Sequence, residues 1–422
     1  MSPTLHFFCI TIVHDMNAEV ISIGDELTSG QRLDTNSKWL SERLGEFGIR
    51  VLFHTTVGDD ITANVRVFRE AFDRADIVLC TGGLGPTADD LTRQALADAT
   101  GCELVLDQAA LEHIKSLFAR RKRPMPERNE IQAYFPAGAR VVPNPHGSAP
   151  GIDMDIPREN RTASHVFVLP GVPAEMREMW DGTIGPELGK LLGENRRIIR
   201  HRAIKCFGVG ESDLENMLPD LIRRGRRPSV GITVSRATIT LRITADGPSE
   251  ADCLDLMQPT IDTVHDCLGS LVFGQDEEEL QHAVVRLLRE RGQTLAVTEV
   301  GTGGMISQWL SEVDHMHEYF LGSFVVPNDR QMPIAALAAR GQTQLESDWG
   351  LAIGRFPVAD SHESAPGNFE LAVVGPNGTI QKTHPFAGHP DILKPRAGKQ
   401  ALNLLRLALL DEIEFEPPTQ SR

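Results

Sequence analysis

Three carboxylates stand at the places where a chain can do phosphate chemistry: Glu26 in GDELTSGQRLDTN, Asp59 in VGDD and Asp90 in TGGLGPTADD. The third stretch also carries Thr81, Gly82, Gly83, Gly85 and Thr87, whose hydroxyls and close backbone suit a phosphate. Carboxylates alone would repel that phosphate. They become useful if a hard divalent cation lies between, since magnesium is typically held by one or two carboxylates plus substrate oxygens and can activate water. Glu26, Asp59 and Asp90 are therefore the expected metal ligands. Mg, Mn or Co would be the cofactor.

Each acid taken alone reads as a helix cap, because Asp59, Asp60, Asp89 and Asp90 all sit where helices should start. Their conjunction with glycines and threonines at three successive strand ends favours a site. Asn36 closes the first loop and is a further candidate to bind substrate or phosphate. A fourth loop, VVPNPHGSAPG (141–151), is too rich in Pro and Gly for helix or strand; it offers Asn144 and Ser148 for a ribose or base. His146 reads as an exposed loop histidine.

The elements that must position these residues are strand–helix alternations. AEVISIG, IRVLFHTTV and ADIVLC read as short apolar strands, each followed by an amphipathic helix. The first helix has Asp34 as N-cap and Gly48 as stop. Such alternation implies right-handed crossovers and a parallel sheet covered on both faces, an α/β fold whose ligand crevice lies at the carboxyl ends of the strands. HVFVLPGVPAEM supplies a further strand at 165–169, and PAEMREMWDGTIGPELGKLLG reads as a linking helix. A βαββα unit follows at about 200–265, then LVFGQDEEEL as a junction, and an α/β unit opening with the helix LQHAVVRLLRERG.

At 422 residues, 41% hydrophobic and 24% charged, the chain is long enough for two or three domains. A net charge of −16 gives no general attraction to nucleic acid or an anionic membrane, so neither is an expected partner. The six cysteines form no metal-binding spacing and read as buried thiols of a cytoplasmic protein. Residues 1–15 lack the basic start and cleavage site of a signal peptide and read as an extension, disordered or not translated. RRGRR at 223–227 reads as a solvated basic turn.

GDELTSGQRLDTNSKWLSERL, VGDD, TGGLGPTADDLTRQALA, VVPNPHGSAPG and VLPGVPAEM together resemble the CinA family, the competence/damage-inducible proteins, over residues 18–176. The resemblance implies a molybdopterin-binding-like three-layer domain at 16–172. It also implies a linker helix with a small α+β KH-like domain at 173–270, and a C-terminal α/β deamidase-like domain at 271–422. It implies divalent-metal-dependent hydrolysis of ADP-ribose to AMP and ribose 5-phosphate, with Glu26 and Asp90 as the matching acids and Asp59 a weaker match. A homodimer is expected, with the KH-like domain in a structural or dimerisation role. The alternative is a nucleotide- or pterin-binding protein without turnover.

The C-terminal turn departs from this family. Nicotinamide mononucleotide deamidases of the family carry A-E-S-C-T-G-G with a nucleophilic serine. Here the run is Thr298, Glu299, Val300, Gly301, Thr302, Gly303, Gly304, and Val300 cannot be acylated. Met332 stands at the lysine position of the Y-S-N-E-A-K segment, and IGRFPVAD replaces a G-I-A-G-P turn. Deamidase activity is expected to be absent.

Overall fold

The computed structural model describes residues 16–193, 197–326, 332–357 and 367–415; residues 1–15, read above as an extension, and Cys9 fall outside them. The chain forms two compact units, one running to Arg200 and including Asp246–Cys253, the other comprising His201–Ala245 and Leu254 onward.

In the first unit β1 (Asn17–Ile23), α1 (Asp25–Thr28), α2 (Thr35–Gly45), β2 (Arg50–Val57), α3 (Ile61–Arg74), β3 (Ile77–Thr81) and α4 (Thr92–Thr100) realise the expected alternation. The carboxylates of Asp34 and Asp60 accept from Ser37 N at 2.9 Å and Ala63 N at 2.8 Å, which starts α2 and α3. Beyond them come β4 (Leu104–Leu106), α5 (Gln108–Arg120), β5 (Tyr134–Pro136), β6 (Arg140–Val142), β7 (Gly151–Arg158) and β8 (Arg161–Leu169). The main sheet has the order β2-β1-β3-β8-β7-β6, the first four strands parallel and the last two antiparallel.

Strand alternation sorts the core into two layers. Val20, Leu79 and Leu169 face one cluster with Leu40 and Leu44, while Ile21, Cys80 and Val168 face another with Phe68 and Leu96. Helices cover both faces, giving three layers. The segment read as a linker forms α6 (Pro173–Met179) and α7 (Gly185–Leu192), and its Met176, Met179, Trp180, Ile184 and Leu188 are core residues of this unit.

The βαββα order continues through β9 (Ile198–Cys206), α8 (Glu211–Met217), β10 (Ser229–Ser235), β11 (Thr238–Gly247) and α9 (Glu250–Leu268). The supposed junction contains β12 (Val272–Gln275), which pairs antiparallel with β9 to extend that sheet. In the basic turn, Arg226 donates to Pro228 O at 3.1 Å and Thr260 Oγ1 at 2.9 Å, so it holds the turn to a helix.

The remaining elements are α10 (Leu280–Arg291), β13 (Leu295–Glu299), α11 (Met305–Ser311), β14 (Phe320–Val325), α12 (Ile334–Leu345), β15 (Trp349–Ile353), β16 (Asn368–Gly375), β17 (Gly378–Pro385) and α13 (Pro390–Leu409). Their described strands order as β14-β13-β15-β16-β17, with β16 and β17 antiparallel. Among the described residues no helix is long and apolar enough to cross a membrane. All five described cysteines are free thiols; Cys80, Cys206 and Cys253 are buried, and burial pushes Cys206 up to about 12.

Candidate functional site

The carboxyl ends of β1, β2, β3 and β8 surround a cleft of about 550 Å³. Glu26, Asp59 and Asp90 line it, as do Asn36, Thr81, Gly82, Gly83, Gly85 and Ser148. The cleft therefore collects most of the residues singled out by type and spacing. Thr87 and Asn144 border it through the residues they bind.

Two turns meet on its acidic side. Asp25 N donates to the Asp59 carboxylate at 3.0 Å, and Asp59 N donates to the Asp25 carboxylate at 3.0 Å. Partial burial, with the charges of Asp25, Asp89 and Glu26 nearby, holds the Asp59 carboxyl above its usual value, although the Asp25 amide works against this. Glu26 folds back over Gly24, where a Cβ would stand 2.6 Å from its Oε2. Neither Glu26 nor Asp59 caps a helix; Asp60 does that work for α3.

Asp90 behaves differently. Its carboxylate accepts from Gly85 N at 2.8 Å and Thr87 N at 2.9 Å, and the Thr87 hydroxyl also donates to it. It clamps the glycine loop shut from inside. Gly82 N donates to Leu169 O at 3.1 Å, so the amides of Gly82, Gly85 and Thr87, expected to face a phosphate, are already engaged. Gly82 has a φ of 109°, and a Cβ there would meet Ile23 O at 2.2 Å. Arg93, buried behind the loop, has Nε and Nη2 without partners; burial lowers its guanidinium to about 10 while the charge of Asp90 opposes the change.

Several expected ligand contacts are used to hold loops together. Thr81 donates its hydroxyl to Pro170 O at 3.1 Å, and Asn36 Nδ2 donates to Thr81 Oγ1 at 3.2 Å and Gly171 O at 3.0 Å. Asn144 is fully buried; its Nδ2 donates to Ala149 O at 2.9 Å and its Oδ1 accepts from Gly147 N at 2.8 Å. His146 is exposed and pairs with Glu178 at 2.7 Å. Residues not singled out from sequence also line the cleft: Glu175, Arg32, Leu33 and Val172, the last two 81% and 52% exposed. Leu33 stands in an otherwise polar stretch, GQRLDTN, and that contrast was the available signal.

Among the described residues no group of three or more His, Cys, Asp or Glu side chains is arranged to hold a metal ion. Glu26, Asp59 and Asp90 are not part of any such group, and Asp90 already accepts three hydrogen bonds from the glycine loop. Glu26 and Asp59, both on the acidic side of the cleft, are the residues that could hold a magnesium-like ion.

In the second unit the turn after β13 is organised by Glu299, which is fully buried. Its carboxylate accepts from Thr302 Oγ1 at 2.6 Å, Ile306 N at 3.0 Å and Ser307 N at 2.9 Å, and from the Ser307 hydroxyl. Val300 is 8% exposed in an apolar cluster with Ile334, Leu337, Ala338, Ala352 and Ala372, and Met332 packs against the same cluster. Phe356 lies over Gly301, 2.9 Å from where a Cβ would be, and stacks on Phe386 at 4.4 Å.

This architecture, a three-layer α/β unit with its cleft at the parallel strand ends followed by a KH-like sheet and a second α/β unit, matches three family models in order. They are described as "Probable molybdopterin binding domain" over residues 19–190, "Damage-inducible protein CinA KH domain" over 201–274 and "CinA C-terminal domain" over 277–332. The chain is 36% identical over 404 residues to a CinA-like protein of Thermomicrobium roseum, covering 94% of this chain and 97% of that one. It is 34% identical over 429 residues to a CinA-like protein of Nostoc sp., covering 94% and 100%. The crystal structure of "the protein CinA with unknown function" from Thermoplasma acidophilum is 31% identical, with a TM-score of 0.37, and covers 41% of this chain and 98% of that one. The chain belongs to the CinA family. The third match ends at Met332, although the fold continues to the end of α13 at Leu409.

Proposed function

We propose that the cleft of the first unit hydrolyses the pyrophosphate of ADP-ribose, giving AMP and ribose 5-phosphate, in a reaction that requires a divalent metal. The observation that carries this reading is geometric: Glu26, Asp59, Asp89 and Asp90 line one cleft at the parallel strand ends together with the Thr81–Gly85 loop. Such a site accepts a diphosphate once a cation has offset the charge. Glu26 and Asp59 would hold that cation, which when bound polarises the diphosphate and lowers the pKa of water. Asp90 keeps the loop in shape through Gly85 and Thr87, and the threonine hydroxyls and Ser148 border the path of the ligand. In the second unit, Val300 and Met332 replace the implied nucleophile and lysine with packed apolar groups, so that unit is read as lacking deamidase activity.

The test offers purified protein ADP-ribose and nicotinamide mononucleotide separately, with and without magnesium, beside Glu26→Gln and Asp90→Ala variants, and separates the products by chromatography. AMP formed only with metal and intact Glu26 supports the reading. Unchanged ADP-ribose that nevertheless binds supports the second reading, nucleotide binding without turnover.

A further inference from the structure

We propose that Glu175 selects the nucleotide half of the ligand, its carboxylate accepting a hydrogen bond from an uncharged donor, either a ribose hydroxyl or a base amine. This rests on the reading of the cleft as a nucleotide site. Glu175 stands in the first turn of α6, immediately beyond the Pro170–Gly171 turn, and lines the cleft with Ser148 and Val172.

The neighbouring loop is built around its carboxylate. Asn144 Nδ2 donates to Glu175 Oε2 at 2.8 Å, and Asn144 is itself fixed by Ala149 O and Gly147 N. At Gly147 a Cβ would stand 2.1 Å from the same oxygen and 2.4 Å from Asn144 Nδ2, so a side chain there would push the Glu175 or Asn144 side chain out of place. A fully buried amide and a closely packed glycine thus hold one half-buried acid in place. An ionised carboxylate offers about four acceptor positions, and the Asn144 amide uses one.

No Lys, Arg or His among the described residues forms an ion pair with Glu175. A phosphate is repelled by it. The remaining acceptor capacity is therefore matched by a neutral donor, and the exposed apolar side chains of Leu33 and Val172 on the same cleft suit the ring beside such a donor.

The experiment titrates the full chain, in magnesium, with AMP, 2′-deoxy-AMP, 3′-deoxy-AMP, IMP and inorganic pyrophosphate. Glu175→Ala, Glu175→Gln and Gly147→Ala are run beside the wild type. Wild type should prefer AMP by on the order of tenfold over whichever analogue lacks the donor. A deoxy analogue identifies the hydroxyl, and IMP identifies the amine. Glu175→Ala should abolish the preference and leave pyrophosphate affinity unchanged; Glu175→Gln, which keeps an acceptor oxygen, should retain part of it, and Gly147→Ala should weaken it. Equal wild-type affinity for all four nucleotides, no AMP binding, or a Glu175→Ala loss shared equally with pyrophosphate overturns the proposal. Turnover of ADP-ribose is read separately, so a Glu175-dependent preference without turnover sinks the pyrophosphatase reading and leaves this one standing.

Discussion

Val300 and Met332, the two positions where the resemblance implies a nucleophile and a lysine, share one apolar cluster with α12, β15 and β16. The fold still brings them together. What it brings together is now hydrophobic core, and Phe356 covers the adjacent Gly301.

Restoring one polar group should therefore not restore chemistry. Val300→Ser, alone or with Met332→Lys, is expected to release no ammonia from nicotinamide mononucleotide. The serine should cost about 1–3 kcal/mol through burial of its hydroxyl, read by urea denaturation. Ammonia release above the wild-type background would overturn the reading of this unit as inactive.

Asp90→Ala should loosen the glycine loop before it affects anything else. Hydrogen exchange at the Gly85 and Thr87 amides is expected to speed up, and ADP-ribose turnover to fall at least about tenfold. Unchanged exchange at those two amides would show that the clamp is not what orders the loop.

The raised carboxyl of Asp59 has a sign that can be checked. An aspartate whose folded pKa exceeds its unfolded value costs stability wherever both states are ionised, and the cost vanishes as pH falls through the folded value and below the usual 3.8. Asp59→Asn should therefore raise the melting temperature at neutral pH, with the gain fading in acid. Magnesium should stabilise the wild type and not this variant. A variant that melts lower than the wild type at pH 7 contradicts the account.

Leu33 is 81% exposed and lines the cleft, so it contributes little to the core. Leu33→Ser should leave the melting temperature unchanged and weaken AMP binding about three- to tenfold through lost apolar contact. Calorimetry showing equal AMP affinity would remove Leu33 from the ligand's path.

The parallel part of the first sheet was legible because β1, β3 and β8 each carry a buried, largely apolar stretch with glycine at or just beyond its carboxyl end, a pattern that burial on both faces favours. β7 escaped because its Asp153 and Asp155 break the run; both pair with Arg140 across the antiparallel edge, a compensation invisible in one dimension. β12 and β15 are short, and their strand character comes from their partners. At the site, residue types located the cleft but could not say which way each acid turns. Asp60 caps a helix, its neighbour Asp59 faces the opposite turn, and Asp90 turns inward, outcomes set by backbone amides rather than by spacing. Asn144 was read as a ligand contact, whereas its amide is spent on its own loop and on Glu175.

The reciprocal bonds between Asp25 and Asp59 join the turns after β1 and β2 into one mechanical piece. Glu26 and Asp59 are consequently carried by a clasp formed before any ion arrives. Under the proposed function, a cation bound there would spend little of its binding energy on ordering the chain and most on relieving repulsion. The two turns should then stiffen or loosen as a pair, and a break on either side of the clasp would be felt equally on the other.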